Sequence, residues 1–215
     1  MSARENILAG IRRSLKTEAN DNARRATVEA RISAHARGTI PARAAVQAGE
    51  AMIAFVARLK AAGVTVAEAA HLSDVPKLAA DYLRWQNLPA RLRMGADPDL
   101  TGLTWDIEVL TGRAEGSDEV SISKAYAGVA ETGTLVLTSG PDNPTTLNFL
   151  PETHIVVVRG ADVVGGYEDV WDRLRSAPLP RTVNWVSGPS RTADIEQTIV
   201  MGAHGPRRLH VLLAG

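Results

Sequence analysis

Apolar residues along this chain follow two periodicities. Ile7, Leu8, Ile11 and Leu15 recur at helical spacing with charges between them, which predicts an amphipathic helix over residues 1–16. Residues 21–43 are rich in Ala and Arg, contain few large apolar side chains and end in Gly38 and Pro41. They predict a surface connector. The first 43 residues therefore read as a helical arm with its connector, and residues 44–215 as one domain. Beyond Ala44, helix and strand patterns alternate. Val46, Met52, Ile53, Val56 and Leu59 mark a helix closed by Gly63, and Val64 to Val66 reads as a strand. Residues 74–86 predict a helix opened by Asp74. Residues 90–94 and 105–110 predict short strands.

Toward the C-terminus the strands lose their polar alternation. Residues 134–138, 154–158 and 209–213 are unbroken apolar runs, as expected for strands covered on both faces of a parallel sheet. Residues 182–186 make a further candidate. Helices are predicted over residues 167–175 and 192–201. Strands separated by helix-length segments imply crossovers, so the expected fold is α/β: a three-layer, mostly parallel sheet between helices, with an N-terminal helical arm.

Composition narrows the function. The 24 basic and 24 acidic side chains balance, and 4% of residues are aromatic, so neither charge nor stacking argues for nucleic acid. The chain has no cysteine, which excludes a disulfide framework, a thiol nucleophile and a Cys-ligated iron–sulfur cluster in it. No metal site and no cofactor are expected. The first residues lack an apolar signal region and no apolar run approaches a membrane span, so a cytoplasmic location is expected.

Familiar nucleotide fingerprints are missing. Gly128 and Gly133 have Walker-like spacing, yet Thr134 stands where a lysine would be. Two segments are denser than packing requires. In residues 126–137 small residues surround Glu131, and the backbone can approach a ligand closely at Gly128 and Gly133. Glu131 is the candidate catalytic carboxylate, with Thr132, Gly133 and Thr134 beside it, or else the tip of a solvated turn. In residues 187–196 a Gly-Pro turn precedes the helix predicted from Thr192. Free N–H groups at that helix start, with Gly188, Ser190, Arg191 and Thr192, suit a small carboxylate or phosphorylated ligand. Asp194 and Glu196 would instead complement the helix dipole. Gly202 is expected to end that helix, and His204 either faces the site or decorates a turn. His154 and His210, inside apolar runs, read as hydrogen-bonded core residues.

The strings GVAETGTLVL, LPETHIVVV and GPSRTADIEQTIVMGAHGPRRLHVLL, with ILAGIRRSL near the start, resemble the lactate utilisation protein C branch of the LUD-domain family. The likeness is dense from about residue 120 onward and sparse over residues 21–63. It implies a fold like the NagB/RpiA/CoA-transferase superfamily and a role in oxidising L-lactate to pyruvate beside iron–sulfur partner subunits. Three function readings follow: a non-redox subunit or accessory protein of that system, a stand-alone acyl- or CoA-transferase-like enzyme using Glu131, and a ligand-sensing or assembly module without turnover. The amphipathic arm either packs on its own domain or mediates association, with a partner or as a homo-oligomer.

Overall fold

The computed structural model describes residues 2–18, 20–46, 48–195 and 198–215. It separates into two compact units, Met1–Thr39 and Ile40–Gly215. The first contains two helices, α1 (Ala3–Ser14) and α2 (Asn22–Ala34). A reciprocal Ser2–Glu5 capping box opens α1, and Asp21 Oδ1 accepts the Arg24 N–H at 2.8 Å to open α2. Helix α2 corrects the expected connector. Ala and Arg are strong helix formers, and Asp21 supplies the start that a count of apolar residues ignores. Neither helix has a buried residue.

The second unit is built on a six-stranded sheet. Its strands are β1 (Thr65–Ala69), β2 (Arg91–Met94), β3 (Glu108–Thr111), β4 (Val120–Lys124), β7 (Thr153–Arg159) and β12 (Arg208–Ala214). Every pairing in the order β1-β12-β7-β4-β2-β3 is parallel. The apolar runs follow from burial on both faces. Ile155, Val157, Leu212 and Ala214 pack on one side with Val75, Ala79, Tyr82 and Leu83 of helix α4 (Val75–Trp85). Val156, Val158, Val211 and Leu213 pack on the other with Ala51, Phe55 and Leu59 of helix α3 (Ala48–Ala61). Fully covering a side chain such as Phe55 is worth about 1.5–3 kcal/mol. Gly63 turns out of α3 at φ +84, as its place in the sequence predicts.

A smaller sheet lies against the α3 side, in the order β8-β5-β6-β9: β5 (Ala127–Val129), β6 (Thr134–Thr138), β8 (Val163–Val164) and β9 (Val183–Val186). Strand β6 pairs antiparallel with both β5 and β9. The runs at 134–138 and 182–186 are therefore strands, but not strands of the large parallel sheet. Leu135 and Leu137 face the α3 core, while Val136 faces a third core with Val170 and Leu174 of helix α7 (Tyr167–Arg175). Coverage on two faces makes the run apolar and leaves strand direction unspecified.

The helix predicted at 192–201 is instead a pair of antiparallel strands, β10 (Arg191–Ile195) and β11 (Thr198–Met201). Five of those ten positions are β-branched, which favours extended backbone. Gly202, at φ +82, ends a strand. Asp194 belongs to β10 and caps no helix, and Glu196 lies outside the described residues. Among the described residues no helix is long and apolar enough to cross a membrane.

Candidate functional site

The C-terminal edge of the large sheet, where open α/β folds usually hold ligands, is filled by charge pairing. Lys124 Nζ lies 3.0 Å from Asp97 and 2.6 Å from Asp99 of the short helix α5 (Pro98–Thr101), and Arg159 Nη2 lies 2.7 Å from Asp99. The hydrogen bond from Lys124 holds the Asp99 carboxyl below its ordinary pKa. Beside this network, Gly95 lets the Asp142 carbonyl sit where a β-carbon would be, so the 139–144 loop closes on the end of β2.

The Glu131 segment forms the turn from β5 to β6. Glu131 N–H donates to Gly165 O at 3.0 Å and Gly133 N–H to Val129 O at 2.9 Å. Gly133 has φ +69, and a β-carbon there would fall 2.7 Å from Arg58 Cβ. Glu131 is buried, and its Oε1 accepts from Arg43 Nε and Nη2, both at 3.0 Å. Its neighbours join a cluster of four hydroxyls. Thr134 Oγ1 lies 2.6 Å from Thr132 Oγ1, 2.8 Å from the Tyr167 hydroxyl and 2.6 Å from Ser187 Oγ.

Ser187 begins the wall of a pocket of about 270 Å³ at the opposite, N-terminal edge of the large sheet, over the starts of β7 and β12. Ser190 knits its two loops together: its N–H donates to Pro206 O at 2.8 Å, and its hydroxyl accepts from His204 N–H at 3.2 Å. Phe149, Trp185 and Leu209 supply apolar wall. Arg191 also lines the pocket, while its Nη2 donates to Ala62 O at 3.0 Å and its guanidinium lies over Gly63.

Two buried polar side chains border the same space. Asn148, on helix α6 (Thr146–Phe149), is 1% exposed, and neither its amide oxygen nor its nitrogen has a hydrogen-bond partner. His154 is fully buried. Its Nε2 lies 2.7 Å from Ser123 Oγ and its Nδ1 has no partner. Burial pushes its pKa down to about 3, so the ring is neutral near pH 7.

Gly188, Ser190, Arg191 and His204 thus come together as the sequence suggests. Thr134 touches the pocket's edge through Ser187, with Thr132 and Gly133 in the turn behind it. Glu131 is turned to Arg43 and is not among the lining residues. Thr192 sits in β10 opposite Val200. Without a helix there, the donors expected at its start do not exist. Both dense motifs follow strand C-termini, but of β5 and β9 in the smaller sheet. His154 is the hydrogen-bonded core residue the sequence suggests, but its unpaired Nδ1 and the buried Asn148 amide were not legible there. A lone Asn and a His beside apolar residues carry no spacing signal, and their unpaired state is visible only in three dimensions. Among the described residues no His, Asp and Glu cluster gathers as a metal ion would require.

The segment that builds this pocket carries a family signature. Residues 105–214 match the LUD domain. The chain belongs to the LUD-domain family. It is 31% identical over 104 residues to lactate utilization protein C of Anoxybacillus flavithermus, covering 47% of each chain. It is 34% identical over 121 residues to an uncharacterised protein of Neisseria meningitidis serogroup B, covering 54% of this chain and 52% of that one. The chain thus spans about half the length of the curated relatives it matches. A crystal structure of a DUF162 family protein from Deinococcus radiodurans shares the fold, with a TM-score of 0.62, 24% identity, and coverage of 79% of this chain and 99% of that one. All the pocket residues named above lie inside the LUD segment.

Proposed function

We propose that this LUD-domain protein serves L-lactate utilisation as a non-redox subunit or accessory protein, with electron transfer carried by iron–sulfur partners. The carrying observation is its likeness, over about half its length, to proteins named lactate utilization protein C, beside the LUD-domain match over residues 105–214. A chain without cysteine cannot hold a Cys-ligated cluster, so electron transfer through such clusters would fall to partners. Gly188, Ser190, Arg191 and His204 are its proposed ligand-binding residues. The Arg43 pairing of Glu131 favours a structural role for that carboxylate over the transferase reading.

Deleting the gene is expected to abolish growth on L-lactate while sparing growth on pyruvate, and native purification should recover iron–sulfur proteins at fixed stoichiometry. Normal growth on lactate would end this reading. The arm is the proposed contact surface, because Ile7, Ile11, Leu15, Val28 and Ile32 are all exposed. Removing residues 1–16 should release the partners and leave thermal stability within about 0.5 kcal/mol of the full chain, the scale of surface changes. If partners stay bound after truncation, the surface is elsewhere.

A further inference from the structure

Strand β1 is an edge of the six-stranded sheet, paired on one side with β12. Gly215 N–H donates to Ala69 O at 3.1 Å, which fixes the alternation of a parallel ladder. Thr65, Ala67 and Ala69 turn their backbone groups toward β12, and Val66 and Glu68 turn theirs outward. Among the described residues, no backbone hydrogen bond outside that ladder involves Val66 or Glu68. Sheet edges are usually blunted by Pro, Lys or a bulge. The Thr-Val-Ala-Glu-Ala of β1 contains neither residue, and its register with β12 is unbroken. A groove of about 670 Å³ runs along this edge, lined by residues 63–67 with Lys60, Leu78, Tyr82 and Trp85. Trp85 is 67% exposed. Lys60, in the last turn of α3, and Glu68 are exposed too, and among the described residues neither has an ion-pair partner.

We propose that β1 is a dimer interface, paired antiparallel about Ala67 with β1 of a second copy of this chain, so that the two large sheets join edge to edge. The strand is its own complement. In that register Val66 of each copy faces Glu68 of the other as a hydrogen-bonded pair, which makes four backbone hydrogen bonds across a two-fold axis. Val66 packs on the α3 side and Ala67 on the α4 side, so Glu68 shares the α3 side with Val66. Glu68 therefore arrives beside the start of the other β1, where Lys60 lines the groove, and two Lys60–Glu68 pairs form between the copies. On the opposite face the small Ala67 side chains meet at the axis. The apolar walls made by Leu78 and Trp85 come together there, with the aromatic anchor typical of interfaces. A peptide strand from another protein would gain the same backbone bonds, but the opposite charges at matched positions favour a second copy. This goes beyond the lactate reading, and its test involves neither lactate nor iron–sulfur partners.

Sedimentation velocity on the full chain, over a concentration series, reads the assembly directly, and the wild type should be a dimer. Lys60→Glu and Glu68→Lys each set like charges against one another at both ends of the axis. Each should weaken the dimer about tenfold, the scale of two surface pairs reversed in sign. Mixed in equal amounts, the two variants should regain wild-type affinity as a heterodimer, because each supplies the charge the other needs. An ion pair within one chain could not be repaired by mixing. Glu68→Pro removes an outward N–H and none of the β12 ladder, so it should abolish the dimer and leave the melting temperature unchanged. A wild type that stays monomeric overturns the proposal, even if another protein's strand is later found on β1. So does a folded Glu68→Pro variant that still dimerises, or a mixture no tighter than its two components. Should Glu68→Pro fail to fold, the charge variants, both at exposed positions, decide alone.

Discussion

Taking the protein from pH 6.5 to pH 4 is expected to strip it of several kcal/mol of stability, most steeply near pH 5, because two buried histidines take up protons on unfolding. Burial pushes His154 down from 6.5 to about 3 and His210 to about 4. Around pH 5 both are neutral when folded and protonated when unfolded, so unfolding there takes up close to two protons. Their stabilising effect is complete above the unfolded pKa and is lost as pH falls toward the folded values. The structural cause is plain in each case. His154 meets Ser123 and apolar neighbours with no carboxylate partner, and a proton on it would be a buried, uncompensated charge. His210 stacks on Tyr82 at 3.9 Å between ring centroids, with Nδ1 2.8 Å from Thr65 Oγ1 and Nε2 unpaired. Asp99, held down by Lys124, begins to add its own acid loss as the pH nears its ordinary value of 3.8, at the bottom of this window. Against a typical total of about 5–15 kcal/mol, the two histidines remove a substantial share of the stability by pH 4. Urea unfolding at pH 7, 6, 5 and 4.5 measures the slope, and His154→Gln should roughly halve it. A stability flat across this window would mean that both rings are reached by water or paired with carboxylates in solution.

Strands β7 and β12 were legible because both their faces are covered, which writes itself as an apolar run, whereas β4, equally buried but carrying Ser121 and Ser123, was missed. The same signature misled at β6, where α3 and α7 supply the cover and the pairing is antiparallel. Residues 192–201 show the opposite failure. A Ser/Thr start and a Gly end suggested a helix, while the β-branched Thr192, Ile195, Thr198, Ile199 and Val200 carried the stronger local preference. The motif strings located the rim of the pocket, since Gly188, Ser190, Arg191 and His204 sit on loops, where ligand groups concentrate. The polar groups beneath that rim were invisible. Asn148 and His154 come from separate elements, and a buried polar residue satisfied by its neighbours reads the same in sequence as one left open.

Gly133→Ala should be among the most damaging single substitutions in this chain, costing about 3 kcal/mol or more. Two penalties combine. At φ +69 an alanine occupies the left-handed region, which costs about 1–2 kcal/mol. Its β-carbon would also lie 2.7 Å from Arg58 Cβ, 2.8 Å from Leu59 N and 2.9 Å from Arg58 C. Two of those three atoms are backbone of α3, which cannot swing aside as a flexible side chain does. Relief would require α3 to move off the smaller sheet, loosening the contacts of Phe55 and Leu59 with Leu135 and Leu137; overpacking of this kind adds about 1–3 kcal/mol. Gly116→Ala is the matched control, because a β-carbon there meets nothing within 4 Å and the backbone is not left-handed; it should stay within about 0.5 kcal/mol of wild type. Urea midpoints of the two variants at pH 7 decide the matter. A large loss for Gly133→Ala alone makes the glycine of the AETGT string a packing requirement, fixing the turn that carries Thr132 and Thr134 to Ser187. If both variants match wild type, the turn can rearrange, and that glycine answers to something other than the fold.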